Sequence, residues 1–188
     1  MVKVLILIGS PRKDGNSAVL AHETARGARA GGASVEIVHL HDLAISPCTG
    51  CGACRFSVDA PCVLSDDMTD LYPRLREANA IVIATPIYSY NMSAQTKLLI
   101  DRLYALGSRE GNALQGKRFG FLVVYGAADA FSSGAMTAMR CFHDTFARKA
   151  TWMDMVHGTA TEAGSAKRNA LLMDAAARLG AELVRPAA

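Results

Sequence analysis

The sequence predicts an α/β protein built on a parallel sheet, and three observations carry that prediction. The strongest apolar runs are short and continuous, "VLILI" (4–8), "AIVIA" (80–84) and "FGFLVVY" (119–125). Runs of that length without polar alternation fit strands buried on both faces. Helical stretches separate them in the order β-α-β-α-β-α-β-α-β, which points to right-handed crossovers in one sheet. At 188 residues, 51% hydrophobic and 20% charged, the chain is expected to form one domain over 1–188 with a substantial core.

Each element has its own signal. A helix begins at Asn16-Ser17, residue types that cap N-termini, and stops at Gly31-Gly32. "SVEIVHL" (34–40) and "ATWMDMV" (150–156) are the two weaker strands. A helix starts at "SDDM" (65–68), where Asp66 and Asp67 suit the positive end of the helix dipole. Thr85-Pro86 ends the third strand, because proline cannot donate to a ladder. Further helices are expected over 93–106, 134–148 and 165–179.

Composition excludes several classes. The net charge of +3 comes without a Lys/Arg block, so nucleic acid is not an expected partner. The first apolar run spans only Val4 to Ile8 with no A-x-A site after it, and no apolar stretch reaches the roughly 18 residues of a membrane span. The expected compartment is the cytoplasm, where thiols stay reduced.

Ligands of such sheets sit beyond the carboxyl ends of the strands. After the first strand comes "GSPRKDGNS" (9–17), which opens a helix and so gathers backbone N–H groups for an anion. It lacks the Gly-Lys-Ser/Thr of a P-loop and the G-x-G-x-x-G of a dinucleotide site. What remains suits one terminal phosphate: Ser10, Asn16 and Ser17 offer donors and Arg12 a forked guanidinium. A plain capped turn would use many of the same residues, but it does not need Arg12 beside two hydroxyls. After the third strand, "TPIYSYNMSAQTK" (85–97) sets Ile87, Tyr88 and Tyr90 at the sheet edge, with Asn91 and Ser93 before the next helix. That loop suits a flat heteroaromatic ring or, equally, a cap over the core.

Together, "GSPRKDGNS" and "TPIYSYNMSAQTKLLIDR" resemble the NADPH-dependent FMN reductase superfamily of flavodoxin-like proteins. The four-cysteine loop followed by "DDM" resembles its iron–sulfur flavoprotein branch and close flavin-reductase relatives. The resemblance covers about residues 1–126. It implies a three-layer sandwich with a five-stranded parallel sheet of order 2-1-3-4-5 and FMN at its carboxyl edge. Ser10, Arg12, Asn16 and Ser17 would then hold the FMN phosphate. Pro86, Ile87, Tyr88 and Asn91 would border the isoalloxazine, and Tyr125, Gly126 and Ala127 would form a third flavin loop, placed by topology. FMN would carry the chemistry, so no catalytic side chain is assigned.

The insertion at about 44–64 carries Cys48-x2-Cys51-x2-Cys54-x7-Cys62. The run resembles the cysteine motif of iron–sulfur proteins, with these four as candidate [4Fe–4S] ligands, although its last gap is longer than in bacterial ferredoxins. Uncoordinated thiols, zinc and disulfides stay open as alternatives. His39 and His41 are expected at a strand end on the surface, and His22, His143 and His157 are scattered. Lys97 and Asp101 form a helix-surface pair. Met136, Met139, Trp152, Met153 and Met155 belong to the core or subunit contacts, and Cys141 reads as a buried thiol.

The resulting expectation is an FMN-dependent oxidoreductase. It takes electrons from NAD(P)H or a reduced one-electron donor, ferredoxin among them, and passes them to a small acceptor such as a flavin or quinone. A flavodoxin-type carrier and a flavin-free regulatory module are the alternatives, and a sequence pI near 8.7 argues against the acidic carrier. The resemblance also implies a homodimer or homotetramer.

Overall fold

In the computed structural model, which describes residues 1–56, 62–107, 111–126 and 132–185, five long strands run parallel. They are β1 (Lys3–Ile8), β2 (Ser34–His39), β3 (Ala80–Tyr88), β5 (Arg118–Tyr125) and β6 (Thr151–Thr159). Their spatial order is β2-β1-β3-β5-β6, and a two-residue strand, β4 (Asn91–Met92), turns back antiparallel onto the end of β3. Leaving out that short return, the long strands follow the expected 2-1-3-4-5 order. The helices are α1 (Asn16–Ala30), α2 (Met68–Glu77), α3 (Ala94–Arg102), α4 (Ser133–Thr145) and α5 (Ala170–Glu182).

The strength of each strand's sequence signal follows from its place in the sheet. β1, β3 and β5 are central and covered on both faces, so nearly every residue is buried. β2 and β6 are the edges, where exposed and half-buried residues alternate, and there the sequence mixes polar with apolar. Successive side chains on one strand enter opposite layers. Leu5, Leu7, Ile81, Ile83, Phe119 and Phe121 pack toward α2, α3 and α4. Val4, Ile6, Ile8, Val82, Leu122 and Val124 pack toward α1 and α5.

The α1–α5 contact is close enough to require glycine. A methyl group on Gly27 would lie 2.0 Å from the Ala177 carbonyl oxygen, and one on Gly180 would lie 2.0 Å from that of Thr24. The two backbones therefore touch, and α5 closes the sheet only because these positions lack a Cβ.

Several boundaries depart from the sequence expectation. β3 does not end at Thr85-Pro86: Pro86 still lies opposite Val124 of β5, and Ile87 and Tyr88 pair with β4. Proline fits there because the ladder is finishing. α1 is capped by Gly15, with Asn16 as its first residue, since the Asn16 side chain is turned elsewhere. Single 3-10 turns, Leu103–Leu106 and Ser165–Arg168, take up parts of the expected helices over 93–106 and 165–179. Cys141 is exposed on α4, not buried. Met139 is in the core, Met136, Trp152 and Met155 pack against it, and Met153 joins the opposite layer. Among the described residues no helix is long and apolar enough to cross a membrane.

Candidate functional site

The carboxyl ends of β1, β3, β5 and β6 surround one cavity of ≈ 230 Å³. It brings together Ser10, Arg12, Asn16, Ser17, Pro86, Ile87, Tyr88, Tyr125 and Gly126. Asn91 stands outside that lining, and Ala127 lies outside the described residues.

The first loop is folded by its own hydroxyl. Ser10 Oγ accepts from the Arg12 amide at 3.1 Å, and the Gly15 amide donates to the Arg12 carbonyl at 3.2 Å, so the chain turns directly into α1. The Arg12 side chain is exposed at the cavity, whereas Ser17 is 2% exposed and its Oγ has no hydrogen-bond partner among the described residues. A buried hydroxyl without a partner is costly unless a ligand supplies one. It sits in the first turn of α1, where the leading backbone N–H groups also lack intrahelical acceptors.

Asn16 has a different task from the donor role expected of it. Its Nδ2 donates to the carbonyls of Ala160 (3.1 Å) and Glu162 (2.7 Å), and its Oδ1 accepts from the Ala166 amide (2.9 Å). The amide is thus spent tying the first loop to a segment after β6. That segment, with Ala160, Thr161 and Ala163 on the cavity wall, is a component sequence reasoning missed. The strand "ATWMDMV" ends there at 156, but β6 runs to Thr159 and carries the following loop to the site.

A buried polar knot joins the first loop to the second. Ser93 Oγ donates to the Gly9 carbonyl at 2.6 Å and accepts from the Thr96 amide, capping α3. Thr85 Oγ1 accepts from the Ser93 amide at 3.1 Å. A methyl on Gly9 would lie 1.9 Å from Thr96 Oγ1, so glycine is required for this approach. The β3–β4 turn is made by Ser89 (φ 47°) and Tyr90 (φ 67°), both left-handed, as a tight two-residue hairpin demands. Asn91 Oδ1 accepts from the Met92 amide and so serves this hairpin. The turn leaves the rings of Tyr88, which lines the cavity, and of Tyr90 exposed.

The cysteine loop is a second site. Cys48, Cys51, Cys54 and Cys62 line a separate cavity of ≈ 280 Å³ that shares no lining residue with the first. All five cysteines are free thiols; Cys54 and Cys62 are half-buried against the core, and Cys48 and Cys51 are exposed. Gly50 (φ 69°) and Gly52 (φ 72°) occupy left-handed positions that let the loop curl between its cysteines. Hydrogen bonds from the Ala53 amide and the Thr49 hydroxyl lower the Cys51 thiol's pKa. Burial, with the neighbouring Cys62, raises that of Cys54. Among the described residues no three Cys, His, Asp or Glu side chains converge on a single ion position. The donor set is all sulfur, which suits a soft metal centre.

The roots of this loop are held by the "DDM" run, whose acids do more than meet a helix dipole. Asp66 accepts from the Ser46 amide (2.9 Å) and the Met68 amide (3.0 Å), and Asp67 accepts from the Ala44 amide (2.7 Å). Arg102, at the end of α3, grips Asp66 through its two terminal guanidinium nitrogens, and its Nη1 also donates to the Ser46 carbonyl at 2.8 Å. The two side chains are only 1% and 6% exposed. Burial pushes the Asp66 carboxyl up, but the Arg102 hydrogen bonds and the two amides outweigh it and hold it below its usual range.

Residues 2–157 match the NADPH-dependent FMN reductase family. The iron-sulfur flavoprotein of Methanosarcina thermophila is 33% identical over 157 residues, covering 84% of this chain and 75% of that protein. An iron-sulfur flavoprotein of Archaeoglobus fulgidus is 38% identical over 124 residues, 66% of this chain but only 54% of that protein. The chain thus spans about half the length of that relative. Among solved structures, an NAD(P)H:quinone oxidoreductase from Methanothermobacter marburgensis superposes with a TM-score of 0.75 at 16% identity, covering 100% of this chain and 99% of that one. An archaeal flavodoxin superposes at 0.59 and 14% identity, over 97% and 96% of the two chains. The fold is therefore flavodoxin-like, and the chain belongs to the NADPH-dependent FMN reductase family, on its iron-sulfur flavoprotein branch.

Proposed function

We propose that this chain is an FMN-dependent oxidoreductase. It moves electrons from NAD(P)H or a reduced one-electron donor such as a ferredoxin to a small acceptor, a flavin or a quinone. One observation carries the reading. The buried, unpartnered Ser17 hydroxyl and the exposed Arg12 guanidinium meet at the N-terminus of α1, in the cavity that Pro86, Ile87 and Tyr88 wall on the other side. A phosphate at the first end and a flat ring at the second are the two halves of FMN.

When bound, FMN supplies hydride and single-electron chemistry. The chain's own residues do the rest. Ser17 Oγ donates to the phosphate, Arg12 covers its outer oxygens, and the first backbone amides of α1 complete the cradle. Pro86, Ile87 and Tyr88 exclude water from one side of the ring, and the Tyr125-Gly126 turn borders the other wall. Asn16 holds the β6 loop in place and leaves the phosphate to its neighbours. The exposed Tyr88 and Tyr90 fit a mouth completed by a second copy of the chain, and five free thiols fit the cytoplasm.

In the same reading, Cys48, Cys51, Cys54 and Cys62 hold a [4Fe–4S] cluster. Four thiols spread round one cavity support a thiolate-bound metal centre, and the overlapping Cys48-x2-Cys51-x2-Cys54 spacing, in place of two separated Cys-x2-Cys pairs, supports a cluster over zinc. A cluster would let one-electron partners exchange with a two-electron flavin.

The test is FMN affinity of the apoprotein alongside steady-state NAD(P)H oxidation. Ser17→Ala and Arg12→Ala are each expected to weaken FMN about tenfold, the scale of one charge-assisted hydrogen bond. Unchanged affinity in both would remove the phosphate site. FMN binding without NAD(P)H turnover would leave an electron carrier.

A further inference from the structure

A third cavity is separate from the FMN site. It measures ≈ 520 Å³ and lies where the turn after α3, the segment before β5 and the segment before β6 come together. That volume is within the roughly 300–1,000 Å³ of small-molecule sites. Arg55, Arg148 and Lys149 all line it, all three are exposed, and no carboxylate joins them among the described lining residues. Elsewhere the surface cations are commonly neutralised, as in Lys3–Glu77, Lys13–Asp42, Arg74–Glu36 and Arg140–Asp144. Three cations with no ion-pair partner among the described residues, round one concave surface, favour an anion.

The lining is also aromatic. Tyr104 stacks on Phe146 with ring centroids 5.7 Å apart and planes inclined by 27°, and Tyr104 remains 43% exposed. The wall is firmly mounted: the Asn112 amide donates to the Phe146 carbonyl at 2.7 Å, and the Gly116 amide donates to that of Lys149 at 2.9 Å. A flat ring has a surface to lie on, and an attached phosphate has cations within the same hollow.

We propose that this cavity binds a nucleotide, with its phosphates on Arg55, Arg148 and Lys149 and its base against Tyr104. Inorganic phosphate would leave the aromatic wall unused, and an uncharged nucleoside would leave the cations unused. The site is independent of the FMN assignment, because the two cavities share no lining residue. It is not independent of the cysteines: Arg55 and Tyr104 also line the cysteine cavity, so a bound nucleotide forms part of that cavity's wall.

The experiment is equilibrium binding of ADP to the full chain carrying one equivalent of bound FMN, with free FMN removed, so that the first cavity is filled and no free flavin nucleotide competes for the second. Inorganic phosphate and adenosine are the competing probes. ADP is expected to bind at least about tenfold more tightly than either, and rising ionic strength is expected to weaken it. Arg148→Ala combined with Lys149→Ala removes two exposed side chains and is expected to weaken ADP about tenfold while leaving FMN affinity unchanged. Tyr104→Leu is expected to bring ADP down toward phosphate. Phosphate binding as tightly as ADP would overturn the nucleotide assignment in favour of a plain anion site. Parental ADP affinity in the double variant, or no ADP binding at all, would overturn the site itself.

Discussion

The cavity at the sheet edge and the cavity among the cysteines are held by different kinds of structure. The first is walled by strand ends and cross-tied at two places, by the Asn16 amide to the β6 loop and by Ser93 to Gly9. Its walls are fixed by the fold before any ligand arrives. The second lies on a loop whose roots are fastened by hydrogen bonds, where Asp66, Asp67 and Arg102 hold residues 44–46 and 66–68. Between the roots, Gly50 and Gly52 are left-handed, Cys48 and Cys51 are exposed, and among the described residues no three thiols converge on one point. A site built from strand ends is preorganised, whereas a site built on an anchored loop is organised by its ligand.

Mutations that cut each anchorage separately sharpen that contrast. The largest effect is expected from Arg102→Met, which leaves the Asp66 carboxylate buried without its cation. Breaking such a pair costs about 3–5 kcal/mol, read as a lowered urea midpoint. Iron loading of the cysteine loop falls with it, while FMN affinity is unchanged. The loss depends on pH. In the parent the Asp66 carboxyl is held low, so its stabilisation is present above the unfolded value of about 3.9 and disappears as pH falls through the native one. In the variant, burial still pushes the carboxyl up and only the Ser46 and Met68 amides oppose it. The stability gap is therefore widest near neutrality and narrows in acid. An equal gap at both ends of the range would mean that Arg102 acts through packing alone.

Asn16→Ala comes next, removing three hydrogen bonds between the start of α1 and the 160–166 segment. At about 1 kcal/mol each, partly recovered by water, the expected loss is about 2 kcal/mol. FMN affinity drops with it and the cysteine loop keeps its iron, the reverse of the Arg102 pattern. If both variants lost both ligands together, the two sites would be one cooperative unit and the contrast would fail. The smallest effect is expected from Lys97→Ala. Its pair with Asp101 is short at 2.7 Å but exposed on both sides, so about 0.3–0.5 kcal/mol is at stake and neither ligand is affected.

Legibility in the sequence followed the range of the interactions. β1, β3 and β5 announced themselves because burial on both faces leaves a continuous apolar run, and the phosphate loop did so because a strand-to-helix turn is a local event. The clasp did not: Arg102 closes "LLIDR", an ordinary helix end by sequence, and its partner Asp66 is 36 residues away. Asn16 looked like a cap or a ligand donor because its partners at 160, 162 and 166 lie far down the chain. The third wall was missed for the same reason, since β6 is an edge strand whose mixed pattern fades before it ends. Cys141 was misplaced because one thiol on an amphipathic helix carries no sign of which face it occupies.

The proposed function puts two redox centres in one chain, a flavin in the preformed cavity and a cluster on the cysteine loop. The most direct measurement is the flavin, iron and acid-labile sulfide content of anaerobically purified protein, with its absorption spectrum, for the parent and for Cys54→Ala. The account predicts one FMN with about four irons and four sulfides per chain in the parent, and iron lost but FMN kept in the variant. A clean flavin spectrum without iron in the parent, unchanged after anaerobic reconstitution with iron and sulfide, would contradict it.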